Sequence, residues 1–462
     1  KRETSLLIDL ESEELSLETN QTLKKKMAAR HITMIALGGA IGAGLFKGSS
    51  SAIAAAGPSV LIAYFIGGIV LYFVMKSLEK LVLSSKDPHG LSGLVQPYLG
   101  NHTADFTDWV YWSMWMINII AEAVAAASFL QLWFANVPTW VFVLIIALLT
   151  SLINLFSVAL FAETEYWLAF IKISVVILLI IFGVFLVAKQ IFDTNLVTTF
   201  SGMTAHGGFA PHGFKGVINS LLIVIYSYGG SELIAITVSE TEDPKRAIPK
   251  AIRGVIGRII SFYIIPMFLL LVIYNWQTLA TSSMSPFVMV FNKMHIPFAG
   301  DIVNLIIILA LFSSINSGIY ASSRLLYFRL KNRQGKMAQR MAHLNKHHVP
   351  QRAVIFCSGT LYIGVVLSYF VGDRLFNYLA GSLSYTVLAV WILISLAGFG
   401  LSLKTKSLSG RTMSLLALIA LFLILIGILF TNPIGVTVFT AILYFIIFIS
   451  YRKKNDSVSN LH

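Results

Sequence analysis

Charge is scarce in this chain. Asp, Glu, Lys and Arg make up 12% of its 462 residues, against roughly 25% in soluble domains. That shortage excludes an ordinary soluble fold. Cysteine is nearly absent: the single Cys357 excludes an intramolecular disulfide and any cysteine-cluster metal site. It lies within an apolar run and reads as a small buried residue. The stretch "KRETSLLIDLESEELSLETNQTLKKK" before Met27 has no apolar core. It is expected to be a cytoplasmic tail rather than a cleavable signal peptide. His343, His347 and His348 fall in a polar linker. The apolar segments carry no His, Asp or Glu cluster on one face, so no metal, no cofactor and no membrane-embedded enzyme is expected.

What is present is apolar residue in long runs. The chain is 56% hydrophobic, with a mean hydropathy of +0.79. Runs of about 20 apolar residues are long enough to cross a bilayer as helices, and too long for membrane-barrel strands. Twelve spans are predicted, at about 32–56, 59–83, 108–134, 138–157, 165–188, 213–238, 255–276, 299–323, 353–372, 376–400, 413–430 and 434–451. With both termini in the cytoplasm, all but six of the 34 Lys and Arg lie in the tail, in cytoplasmic loops or at the inner ends of spans. The six are Lys189, Lys215, Lys293 and Arg374 outside, and Lys47 and Lys172 within spans. This positive-inside bias sets the orientation. It also accounts for the net charge of +13 without nucleic acid as a partner. The basic linker 324–352 is either a topology determinant or a patch for lipid headgroups.

Two spans interrupt themselves. "ALGGAIGAGLF" (36–46) contains Gly38, Gly39, Gly42 and Gly44, and "IVIYSYGGSELI" (223–234) contains Gly229 and Gly230. A helix-interior glycine costs about 1 kcal/mol relative to alanine. Five spans separate these matching positions, the pattern of an inverted-repeat transporter with its site at the breaks. Unwound backbone survives at that depth only where it lines a cavity. The half-helix after a break turns its positive end toward the gap and can hold a carboxylate, while freed carbonyls can hold an ammonium. The competing reading is close helix packing through the GxxxG of Gly38 and Gly42.

The stretches "RHITMIALGGAIGAGLFKGS" (30–49), "AEAVAAASFLQLWF" (121–134), "FAETEYWLAFIK" (161–172), "SYGGSELIAITVSETEDPKRAIPKAI" (227–252), "SSINSGIYASSRLLY" (313–327) and "LNKHHVPQRA" (344–353) resemble the amino acid–polyamine–organocation superfamily, specifically its bacterial amino acid permeases. The resemblance implies an all-α membrane protein with a LeuT-like fold: twelve transmembrane helices, as a 5+5 inverted repeat plus two C-terminal helices. It divides the chain into a tail (1–29), a transport core (30–400, with repeats at about 30–190 and 210–400) and a last pair of helices with its tail (401–462). It implies that the amino acid's carboxylate meets the backbone of Gly42, Ala43 and Gly44, with Ile41 and Gly230 in the same broken stretches. The amine would meet main-chain oxygens near Ala40, Tyr226, Ser227 and Gly229. Tyr226 and Tyr228 become candidates for lining or gating the site. Against the family pattern, Lys47 stands where an apolar residue is usual, and Ala43 where Ser or Thr is common.

Several polar groups inside predicted spans invite a functional reading. Glu122, in the third, is costly if ionised and unpaired. It reads as a proton carrier or substrate contact, or as a protonated acid bonded to nearby backbone. Lys172, in the fifth, either snorkels to the cytoplasmic end or is a buried ammonium. In the resembling permeases a lysine there stands in for a sodium ion and can exchange a proton. Lys47 snorkels outward or lines a vestibule. Asn316, with Ser313, faces the site or bonds between helices. Glu240, Glu242 and Asp243 are expected to pair with Lys245 and Arg246 in a loop.

The expectation is therefore a multi-pass permease of a bacterial plasma membrane, embedded in lipid. It would take up an amino acid by alternating access, coupled to protons through Lys172 or Glu122. An exchanger without proton coupling and a non-transporting amino acid sensor are the alternatives.

Overall fold

The computed structural model describes residues 41–85, 90–156, 158–233, 244–331, 335–345, 349–431 and 434–459. Among these residues all regular structure is helical. Ala40, the tail, Glu240, Glu242 and Asp243 lie outside the described residues.

The described part of the first span is two short pieces, α1 (Ala43–Phe46) and α2 (Gly48–Ala56). A Gly57-Pro58-Ser59 turn leads into α3 (Val60–Ser84); proline suits a first helical turn because its missing N–H would be unpaired there anyway. α4 runs from Gly90 to Leu130 and bends at Gly100, whose φ of 82° a side-chain-bearing residue rarely adopts. Then come α5 (Thr139–Phe156), α6 (Val158–Asp193) and α7 (Gly213–Tyr228). α8 (Val255–Ile273) contains a wide turn at Ile260–Ile264. The turn precedes Pro266, where it accommodates the absent donor and the ring. α9 (Ala299–Leu330), α10 (Gln351–Val371), α11 (Leu375–Lys404), α12 (Leu408–Thr431) and α13 (Ile434–Ser459) complete the chain.

Each predicted span falls on one of these helices in its described part, α1 and α2 sharing the first and α7 ending at Tyr228 within the sixth; 32–40 and 234–238 lie outside the described residues. Ends differ: α6 starts at Val158 rather than near 165, because hydropathy reports transfer into lipid and not where backbone hydrogen bonding stops.

Burial separates centre from rim. The apolar window of α4 is 83% buried, while those in α6 and α12 are each 33% buried. The rim helices point large apolar side chains outward, among them Ile181, Phe185, Leu423 and Phe445, as lipid contact requires. The centre holds the polar groups instead: Glu122, Lys172, Glu232, Arg258 and Arg324 are all buried. α4 packs along both α9 and α11, and α7 packs on α2 and α3. This arrangement brings the two glycine-rich stretches together.

Candidate functional site

Ile41 and Gly42 are not helical, and Gly42 is extended (φ −149°, ψ −154°). A new helix starts at Ala43, deep in the bundle. Opposite it α7 stops at Tyr228; Gly229 turns out of the helix with ψ 151°, and Gly230 takes φ 90°. Only glycine adopts that angle without strain. One turn, Ser231–Leu233, follows. The two stretches touch directly: a Cβ on Gly44 would lie 2.6 Å from Ser227 Cα. Gly38, the other half of the GxxxG, lies outside the described residues.

The first N–H groups of a helix have no partner within it. Here the Ala43 N–H donates to both carboxyl oxygens of Glu122, at 3.1 and 3.0 Å. Glu122 comes from α4, 79 residues away, and is buried. Its oxygens fill the space a Cβ on Gly42 would need, 2.4 Å from Oε1. The protein's own carboxyl therefore sits on the N–H that the sequence resemblance gives to the substrate. A helix N-terminus favours such a group by up to ~2 kcal/mol in partly buried geometry.

The end of α7 is also held. Gly229 N–H donates to the carbonyls of Ile225 and Tyr226. The Ser227 carbonyl accepts from Tyr263 Oη at 2.9 Å, and that of Tyr228 from Ser231 Oγ at 2.8 Å. Glu232, fully buried, accepts from Gly230 N–H at 3.1 Å and from Trp391 Nε1 of α11 at 3.2 Å. Arg258 Nη2 donates to Ser231 Oγ at 2.6 Å and acts on Glu232 electrostatically. Sequence reasoning missed Glu232, Arg258, Tyr263 and Trp391. A carboxyl inside an apolar span was the available signal for Glu232, the same signal that picks out Glu122.

A cavity opens between the breaks, lined by Gly42, Gly44, Glu122, Tyr226, Ser227, Gly229 and Gly230. Met114, Trp115 and Asn118 of α4 and Leu383 and Val387 of α11 form its walls. Tyr226 Oη and Trp115 Nε1 have no hydrogen-bond partner among the described residues. Of the other expected residues that are described, Ile41, Ala43, Tyr228 and Asn316 are not among those that line it. Ile41 is buried, and its carbonyl accepts from Ser314 Oγ at 3.4 Å. Tyr228 lies away from the cavity: its hydroxyl donates to the Tyr64 carbonyl, and its ring packs against Tyr64 and Tyr263.

Lys172 does not snorkel. It is 1% exposed, and Nζ donates to Ser314 Oγ at 3.3 Å, one bond from the Ile41 carbonyl. Its charge acts on Glu122. Asn316 accepts from Asn154 Nδ2 of α5 at 3.0 Å. It thus bonds between helices and does not line the cavity. Lys47 lines a vestibule on the other side of α1 rather than reaching out to the membrane surface.

Among the described residues, a helix that begins at Ala43 and a helix that ends at Tyr228 meet at a small cavity inside an apolar, all-helical bundle, the arrangement expected of a membrane transporter. The comparison with known proteins agrees. The amino acid permease family matches residues 31–460, and the chain belongs to that family. It is 46% identical over 445 residues to the uncharacterized amino acid permease YvbW of Bacillus subtilis, across 94% of this chain and 98% of that one. It is 45% identical over 451 residues to the aromatic amino acid permease FywP of Lactococcus lactis, across 96% and 99%. The aromatic amino acid transport protein AroP of Escherichia coli is 34% identical over 377 residues, across 82% and 81%. The protein is an amino acid transporter of the plasma membrane with several spans, and not an enzyme.

Proposed function

We propose that this permease takes up neutral aromatic L-amino acids together with protons, by alternating access. The observation that carries the reading is the contact of Glu122 with the Ala43 N–H. A substrate carboxylate seeking the same helix end meets a carboxyl already in place. Two negative charges sharing one donor repel, and a proton on one of them relieves the conflict. Protonated Glu122 gives up the helix end and the substrate carboxylate takes it. On release of substrate and proton to the cytoplasm, Glu122 returns. Substrate and proton thus enter and leave together.

Lys172 supplies a fixed cation beside the break, in the place a sodium ion would otherwise take. Trp115, Tyr226, Met114, Leu383 and Val387 form a wall suited to an apolar or aromatic side chain. The identity with FywP and the likeness to AroP support the same substrate class. A cycle of this kind needs the ligand to bind its states unequally, which the competition between two carboxylates provides.

Purified protein in vesicles with acid outside should accumulate radiolabelled L-phenylalanine above its external concentration, and a protonophore should abolish the accumulation. Uptake that needs preloaded amino acid and ignores the protonophore would instead make the protein an exchanger.

A further inference from the structure

Lys47 lies three residues beyond Gly44, a rise of about 4.5 Å along the helix. It faces a second cavity, on the side that the charge bias places outside. Nζ donates to Ser128 Oγ at 2.7 Å and stands 5.7 Å from the ring centres of both Phe129 and Phe376. An ammonium offers three donors, and Ser128 is the one hydrogen-bond acceptor it has among the described residues. Asp373 lines the same cavity and acts on Lys47 electrostatically. Its carboxylate accepts from Thr139 Oγ1 at 3.3 Å, which holds it in place. Asn377 and a row of serines complete a polar rim. Between this cavity and the inner one, Phe376 meets Tyr226 edge to face at 6.2 Å.

The vestibule therefore presents one cation, one anion and two aromatic faces, directly above the site at the breaks. Lys47 is half-buried, and an ammonium taken from water is costly unless something repays it, whereas Asp373 is exposed on the rim.

We propose that the vestibule is an outer amino acid station. Lys47 holds the α-carboxylate of an incoming zwitterion, Asp373 holds its α-ammonium, and Phe129 and Phe376 receive an apolar side chain. The Phe376–Tyr226 pair is the partition that the amino acid passes to reach Ala43. The inference rests on the amino acid uptake reading above, and its test separates the two.

Equilibrium dialysis of the purified protein with radiolabelled L-phenylalanine should give two bound per wild-type chain and one per chain in Lys47→Met. Asp373→Asn repeats the count from the other end of the station, should Lys47→Met not fold. In vesicles, Lys47→Met should raise the KM for uptake about fivefold or more, with little change in maximum rate, and Lys47→Arg should restore it. One bound per wild-type chain, or two in both neutral variants, overturns the station. Two-site binding without any transport sinks the uptake reading and leaves the station standing; transport with single-site binding does the reverse.

Discussion

The Ala43 N–H and the Glu122 carboxyl meet at 3.0 and 3.1 Å across a gap of 79 residues in sequence. Glu232 does the equivalent work at the other break, accepting from Gly230 N–H. The two carboxyls differ in what else holds them. Glu122 lines the cavity, and a ligand entering there reaches it. Glu232 is tied to Trp391 and sits beside the buried Arg258. The first carboxyl is open to the cavity, and the second is tied to a neighbour through each of its oxygens.

Replacing Glu122 with Gln keeps an oxygen that can accept from Ala43 but removes the exchangeable proton. Vesicles bearing Glu122→Gln should still exchange labelled for unlabelled phenylalanine. Their accumulation driven by an acid exterior should fall about tenfold or more, in line with losing a positioned proton carrier. Accumulation that keeps its dependence on the pH gradient would remove Glu122 from the coupling.

Gly42, which precedes α1, and Gly44, in its first turn, should respond differently to a methyl group. On Gly44 it meets the backbone of Ser227 at 2.6 Å, and on Gly42 the end of the Glu122 side chain at 2.4 Å. Backbone cannot step aside cheaply, whereas a carboxyl can rotate. Gly44→Ala should lower stability by about 1–3 kcal/mol, the usual cost of overpacking, seen as an earlier thermal transition. Gly42→Ala should fold nearly as well but lose uptake, because Glu122 leaves Ala43. Equal stability of the two variants would contradict the contact geometry.

Trp391→Phe keeps an aromatic side chain but is smaller and deletes the donor, leaving Glu232 Oε2 without Nε1 and some empty space in the core. An unsatisfied buried acceptor costs about 1–3 kcal/mol, so the thermal transition should drop. Trp391 does not line the inner cavity, and the KM for uptake should stay within about twofold. A large change in KM at unchanged stability would instead place Trp391 in the binding site.

Much of this was legible in the sequence, for reasons that particular residues make clear. The spans were, because lipid demands apolar runs of fixed length. The breaks were, because Gly42, Gly44, Gly229 and Gly230 weaken helices that have no other reason to be weak. Glu122 stood out as a carboxyl in an apolar segment. Its contact with Ala43 did not, since the partner of a helix end 79 residues away depends on how two helices are rotated. The same gap hid the bond of Asn316 to Asn154 and the turn of Lys47 into the vestibule. Glu232 escaped for another reason: it follows two glycines so closely that it reads as part of the turn, and its partner Trp391 lies 159 residues on.

The buried Lys172 leads to a prediction about ions. Its ammonium reaches Ser314, which reaches the Ile41 carbonyl, so a protein side chain already stands where the proposed cycle would otherwise need a sodium ion. Substituting choline for sodium should change the initial rate of wild-type uptake by less than about twofold. Lys172→Met keeps the length of the side chain and deletes the charge. It removes the donor to Ser314 and the charge that acts on Glu122. Uptake by this variant should fall about tenfold or more, while detergent-extracted protein that still elutes as a single peak would show that the loss is not one of folding. A requirement for sodium in the wild type would mean that Lys172 does not stand in for the ion.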